Sequence, residues 1–328
     1  VRIHRFSFAP QRLRWAFVWG SLALLLLHCA GNAPPLSDPT TPDDFATPPF
    51  YRIDGRAGGT ILLMGTVHLG PPGGWQFSPA LLEGLDRADR FVLEIDLRSL
   101  TEDAVATLLA EIAVIPPPNS LLDLVSAETA RLLDEKDAQL AKMGMPRNAR
   151  KWFKPWFIVI SLLESTSAQS DFDAKFSAEN TILEASGSRP LIGLETLAEQ
   201  LGFFNDLSFR LQEVLLQDAL IGLDTATEEL NALVNAWRRG DEAELEAVRR
   251  EGVDESPELE SIYDILIRDR NRRWMPVFEK LLNDPKFSGE TTFVGVGALH
   301  LVGEDGLIQL FREAGYDAFP IGPAARRQ

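Results

Sequence analysis

The sequence predicts an α/β domain: a mixed, mainly parallel central sheet flanked by helices, with a helical insertion and two strand-GxxH half-motifs. Three observations carry this prediction. Short continuous apolar runs, Thr60-Ile-Leu-Leu-Met64 and Thr291-Thr-Phe-Val-Gly-Val-Gly297 among them, are bounded or ended by glycine, as suits strands buried on both faces. Long helical stretches separate them, the order of a sheet built through crossovers. The tetrad Gly-x-x-His follows both of these runs.

Taken in chain order, the first element is a targeting segment. Arg2, Arg5, Arg12 and Arg14 precede the apolar run Trp15 to Leu27, which is short for a membrane span and is followed by Ala30 and Gly31. Residues 1–29 therefore read as a signal peptide. Leu26-Leu27-His28-Cys29 resembles a bacterial lipoprotein cleavage box, although His28 stands where a small residue is expected, so lipidation of Cys29 and ordinary cleavage near Ala30 or Gly31 both remain open. Both place the domain outside the cytoplasm of a bacterium, periplasmic or membrane-anchored through Cys29 or an uncleaved N-terminal segment. Residues 30–49 carry Pro and Asp in place of apolar periodicity and read as a flexible tether, leaving 50–328 as the folded domain.

Within that domain the Thr60–Met64 strand is followed by Ser78-Pro79, a helix start, with Leu81, Leu82, Leu85 and Ala88 on one face. Phe91 to Leu97 alternates with period two, setting Phe91, Leu93, Ile95 and Leu97 against Val92, Glu94 and Asp96. A mostly helical region spans about 101–186, Arg189 to Glu195 reads as a strand, and helices resume near Ala198, one opened by Asp241-x-x-Glu244. The Thr291–Gly297 strand, a helix near Asp305–Ala314 and the segment Tyr316–Ile321 complete the chain.

Composition removes several function classes. The 328 residues carry 32 Lys+Arg against 48 Asp+Glu, a net charge of −16, which repels nucleic acid and anionic membranes. The single cysteine excludes an intrachain disulfide and a Cys-based zinc site. HExxH, a P-loop and GxSxG are absent, which removes thermolysin-like peptidases, P-loop NTPases and typical serine hydrolases.

Of the four histidines, His4 and His28 fall in the export segment, leaving His68 and His300. Each follows a strand in the same frame, Gly65-x-x-His68-Leu69 and Gly297-x-x-His300-Leu301, which projects both imidazoles over the carboxyl edge of the sheet, where open α/β sheets place their sites. A shared site needs carboxylates. Glu94 lies on the minority face of its strand and Glu195 ends Pro-Leu-Ile-Gly-Leu-Glu; a buried carboxylate costs several kcal/mol, roughly, unless paired. His68, His300 and Glu94 are the candidate ligands of a divalent metal, Mn, Co, Fe or Zn, that would activate water, with the remaining glutamate as general base. Glu195 as a helix cap, and Asp96 as a solvent-facing residue, are the competing structural readings. In the helix spanning about Ser261–Leu282, Arg270 lies four residues from both Leu266 and Trp274, so it points inward and needs an anion, either a glutamate or a substrate oxygen developing charge. Pro276 is a candidate kink.

These residues resemble the TraB/PrgY/GumN family, to which the Tiki metalloproteases are related, over about Tyr51 to Ile321. The resemblance rests on Gly65-x-x-His68, Leu93-Glu94-x-Asp96, Lys154-Pro155-Trp156, Gly193-Leu194-Glu195-Thr196 with Glu199-Gln200, Ala236-Trp237-Arg238-x-Gly240-Asp241, Arg270-Asn271-x-x-Trp274 and Val296-Gly297-Ala298-x-His300-Leu301-Val302-Gly303. It implies a core similar to the erythromycin-esterase and ChaN-like folds, and a metal-dependent peptidase using both GxxH histidines and a glutamate. His68 and His300 match the motif histidines, Glu94 the strand glutamate, and Glu195, Arg270 and Asn271 further family positions. The expectation is an exported metal-dependent hydrolase acting on a peptide or protein substrate, with Glu94, Glu195, Arg270 and Asn271 in the catalytic group. The alternative from the ChaN-like relatives is a haem- or metal-binding protein without hydrolytic activity.

Overall fold

The computed structural model describes residues 45–253 and 257–322. The signal segment, Cys29 and the tether up to residue 44 lie outside the described residues. Six strands form one sheet: β1 Phe50–Asp54, β2 Thr60–Thr66, β3 Arg90–Ile95, β4 Leu191–Glu195, β5 Thr291–Gly297 and β6 Ala318–Pro320, in the order β4-β3-β5-β2-β1-β6. The four strands β4, β3, β5 and β2 run parallel, while β1 is antiparallel to both β2 and β6. The sheet is therefore mixed and mainly parallel, flanked by helices.

Alternation along the strands sorts the core into two layers. Phe50, Leu62, Met64, Phe91, Leu93 and Phe293 face one layer, packed with helices that include Pro155–Ala168 and Ala226–Arg238. Tyr51, Ile53, Ile61, Leu63, Val92 and Val294 face the other, packed with helix Asp269–Asn283 and helix Leu307–Glu313. Both faces are covered, so the centres of β2, β3 and β5 are apolar on both sides, as parallel strands require, with Glu94 the buried exception. Among the described residues no helix is long and apolar enough to cross a membrane.

Local chemistry accounts for the boundaries. Pro79 opens helix Pro79–Arg87, but Leu82 is 49% exposed, because Leu81, Gly84 and Leu85 take the buried stripe. β3 ends at Ile95, and the Asp96 carboxylate accepts the Arg98 N–H at 3.0 Å to start a 3₁₀ turn over Leu97–Ser99, as its solvent-facing reading anticipates. The helical insertion between β3 and β4 begins at Thr101, whose hydroxyl caps helix Glu102–Ile112. The described chain begins before Phe50: Ala46 N–H donates to Gln76 O at 2.7 Å and Thr47 N–H to Arg238 O at 2.8 Å, so these two residues at the end of the expected tether are held by later backbone.

The long helix expected around Ser261–Leu282 is not regular. Helix Pro257–Tyr263 passes into a π-helical turn, Asp264–Arg268, before helix Asp269–Asn283, which contains Pro276. A π turn holds more residues than an α turn, so it rotates the buried stripe: Leu266 and Ile267 are buried in sequence, and so are Arg270 and Asn271.

Register brings the two GxxH loops together. β2 pairs with β5 so that Gly65 lies beside Val296 and Thr66 beside Gly297. A Cβ on Gly65 would come within 3.0 Å of Ala298 Cα, so the glycine permits the close approach of the second loop. Beyond His68 the chain is strapped down: Gly70 N–H donates to Asp173 O at 3.0 Å and Asp173 N–H to Gly70 O at 2.8 Å. A Cβ at Gly70 would lie 1.8 Å from Phe176 O, a backbone atom. Gly70→Ala is expected to destabilise the fold by about 3 kcal/mol through this overlap, read as a lower urea midpoint at unchanged slope.

Candidate functional site

All four parallel strands deliver chemistry to one edge. β2 leads to His68, Glu94 sits one residue from the end of β3, Glu195 ends β4, and β5 leads to the 3₁₀ turn Ala298–His300. Helix Asp269–Asn283 crosses that edge and places Arg270 and Asn271 among them. All six side chains are buried.

Arg270 is the hub. Its Nε donates to Glu195 Oε1 at 3.0 Å, Nη2 to Glu195 Oε2 at 2.9 Å and to Glu94 Oε2, and Nη1 to Leu266 O at 3.1 Å and to His300 Nε2 at 3.3 Å. The five N–H groups of a guanidinium thus have five acceptors. Burial alone would lower its pKa, but Glu94 and Glu195 outweigh that and raise it. The ring of Trp274 lies beneath the guanidinium at 4.9 Å, and its Nε1 donates to Glu195 Oε1 at 3.0 Å.

Both Glu94 and Glu195 are hydrogen-bonded through each oxygen. Glu94 Oε1 accepts the Gly297 N–H at 2.7 Å, so the second motif's glycine supplies a backbone donor, and Oε2 accepts Gln200 Nε2 at 3.0 Å beside Arg270. Glu195 is committed to Arg270 and Trp274. It does not cap the helix that follows β4; Thr196 and Glu199 do so in a capping box.

The histidines differ. Asn271 Nδ2 donates to His300 O at 3.1 Å and Asp305 O at 2.9 Å, so its Oδ1 is the acceptor for His300 Nδ1–H at 2.6 Å. That places the His300 lone pair on Nε2, toward Arg270, with Glu94 Oε1 3.9 Å away. Burial, then the Arg270 and His68 charges, push the His300 pKa well below its usual range, so the ring is neutral. His68 Nδ1 lies 2.7 Å from Glu179 Oε1. Burial would again lower the pKa, but Glu179 and then Glu94 raise it above the ordinary value. Among the described residues neither His68 nitrogen meets hydrogen-bond geometry with a partner, so the Glu179 contact is one of charge and distance, and Nε2 is buried without one. A cavity of about 20 Å³, lined by Thr66, Val67 and His68 on one loop and Ala298 and Leu299 on the other, separates the two motifs and has room for about one water.

The structure therefore gathers His68, His300, Glu94, Glu195, Arg270 and Asn271 at one sheet edge. Asp173 remains outside, capping a 3₁₀ turn through Lys175 N–H. Glu179 escaped the sequence reading, and Gln200 entered it only as part of a motif, without a role. Glu179 sits in the first turn of helix Ala178–Ser186, where a glutamate is ordinary. Gln200 follows the capping box of the helix after β4, and only its burial marks it.

Arg270→Met is expected to lower stability by about 3–5 kcal/mol, since two carboxylates lose their buried counter-charge, and Arg270→Lys to recover only part, because an ammonium lacks the planar fork. Chemical denaturation of both variants checks this. In the metal-free protein, imidazole NMR should show His68 titrating above 6.5 and His300 staying neutral below it. By linkage, the His68 contribution to stability is full below pH 6.5 and is lost as pH rises through its raised folded pKa. The His300 contribution is present above 6.5 and is lost as pH falls below it.

Comparison with known proteins agrees with the motif order. The chain is 23% identical over 279 residues to an uncharacterized protein of Treponema pallidum (strain Nichols), covering 80% of each chain. It is 27% identical over 255 residues to the uncharacterized protein YbaP of Escherichia coli (strain K12), and equally to that of Shigella flexneri, covering 76% of this chain and 87% of the relative. No solved structure matches. Residues 49–319 match the model of the TraB/PrgY/gumN family, and the chain belongs to that family.

Proposed function

We propose that this protein is an exported metal-dependent hydrolase acting on peptide bonds, with His68 Nε2, His300 Nε2 and Glu94 as the groups that hold a divalent cation. The observation that carries this reading is the way the two rings are held. Glu179 Oε1 lies 2.7 Å from His68 Nδ1 and Asn271 Oδ1 accepts from His300 Nδ1–H, which turns each Nε2 away from these partners, that of His300 meeting only the 3.3 Å contact from Arg270. Carboxylate or carbonyl partners on the far nitrogen are the usual support of metal-binding imidazoles.

Charge supports the same reading. Glu94, Glu195 and Glu179 are all buried, and Arg270 is the buried guanidinium that pairs with the first two. The surplus negative charge favours a proton on His68 or a cation in its place. Among the described residues no three His, Cys, Asp or Glu side chains are already gathered as a ligand cage. His300 Nε2 now accepts the long 3.3 Å contact from Arg270, so a cation at that nitrogen releases one of five guanidinium N–H groups.

A divalent ion, if held by His68, His300 and Glu94, would supply the acidification of water and the polarisation of a peptide carbonyl. The chain's own residues do the rest. Arg270 and Gln200 fix the Glu94 carboxylate, and Glu195 with Trp274 fixes Arg270, which makes Glu195 a positioning residue. Burial would raise the Glu179 pKa, but His68 and then Thr66 outweigh that and lower it, so Glu179 stays charged and orients the His68 ring. The burial of the whole group strengthens each of these interactions by excluding bulk water. Haem capture at these rings has less support, because the void beside His68 measures about 20 Å³.

Elemental analysis of the purified domain tests the proposal. The wild type should carry about one equivalent of divalent metal, while His68→Ala and His300→Ala fold but lose it together with peptide hydrolysis. Equal metal in all three proteins removes the mechanism.

A further inference from the structure

The His68 loop borders a second feature that the reaction centre does not use. A cleft of about 1060 Å³ opens at Pro72, four residues past His68, between helix Pro155–Ala168 and the segment Phe172–Ala174. That is ample for several residues of a bound chain. Its apolar surface comes from Met143, Met145 and Phe172. Its ionisable lining is Glu164, Asp171 and Asp173, with no Lys, Arg or His among the lining residues.

The cleft is tied to His68 by one stretch of chain. On its outer side, residues 171–174 line the cleft. On its inner side, Asp173 pairs with Gly70 and Ala178 N–H donates to Val67 O at 3.1 Å, and the helix that starts at Ala178 carries Glu179 against His68. Phe172 also stacks on Trp75 at 6.0 Å, Trp75 meets Trp237 at 4.8 Å, and Trp237 Nε1 donates to Gly65 O at 2.7 Å, the first residue of the His68 motif.

We propose that this cleft binds a Lys- or Arg-bearing peptide segment on the outer face of the strap that holds the His68 loop. The apolar wall takes the aliphatic stems and the three carboxylates take the cationic heads. The inference rests on the hydrolase reading for its consequence, since it names the class of substrate, but binding is measurable without turnover.

The test is fluorescence anisotropy at about 0.15 M salt, with a labelled peptide of about ten residues rich in Lys and Arg, and a counterpart carrying Glu at those positions. The wild type should prefer the cationic peptide by about tenfold or more, and Glu164→Gln/Asp171→Asn should weaken its binding about tenfold. Asp103→Asn/Glu111→Gln, which removes two acidic side chains that do not line the cleft, should change it less than twofold, and His68→Ala should bind as the wild type does. Equal affinity for both peptides overturns the proposal. So does an equal loss in both double variants, which would trace the preference to the net charge of the molecule. Retained cationic binding without cleavage of the peptide would sustain the cleft assignment while removing the hydrolase reading.

Discussion

The buried guanidinium of Arg270 is the constraint on which the arrangement depends. A charge with no exposure to solvent is tolerated only if every donor is paired and an opposite charge is close. Five N–H groups reach two glutamates, one backbone carbonyl and one imidazole, so β3, β4, β5 and the crossing helix are joined through a single side chain. Removing that charge would leave Glu94 and Glu195 facing each other across a water-excluded space. The fold therefore holds its carboxylates in place electrostatically before any ligand arrives.

The two GxxH motifs use their glycines differently. Gly65 has no Cβ because Ala298 packs against it, and Gly297 lends its N–H to Glu94. The parallel pairing of β2 with β5 then sets both histidines at one edge. Their environments diverge from there. His68 meets a carboxylate and gains proton affinity; His300 meets an amide oxygen and a guanidinium and loses it. Two rings with one motif are thus given unequal chemistry by their partners, a common way for a single site to divide acid, base and ligand roles.

The π turn at Asp264–Arg268 belongs to the same economy of placement. Arg270 and Asn271 are consecutive, yet one must reach the glutamates and the other the His300 ring. The wider turn that precedes them frees Leu266 O to accept from Arg270 and rotates both residues under the sheet edge. Such turns recur where a helix must aim adjacent side chains at one site.

The four parallel strands, the inward direction of Arg270 and the placing of both GxxH loops at one sheet edge were legible in the sequence, because apolar runs, helical spacing and a repeated tetrad are local signals, whereas the antiparallel strands β1 and β6 were not read. The α/β class follows from the same patterns. The π turn was not legible, since one extra residue per turn leaves no mark in composition and displaces every later position of the stripe. Nor were Glu179 and the role of Gln200, since both residue types are ordinary in helices and acquire meaning only from what they touch. The direction of each hydrogen bond, and with it the proton affinity of each histidine, was set by partners tens to hundreds of residues away. Sequence determined which groups arrive at the edge of the sheet; tertiary structure decided which charge each one meets there, because electrostatic pairing depends on distance in space and not on separation along the chain.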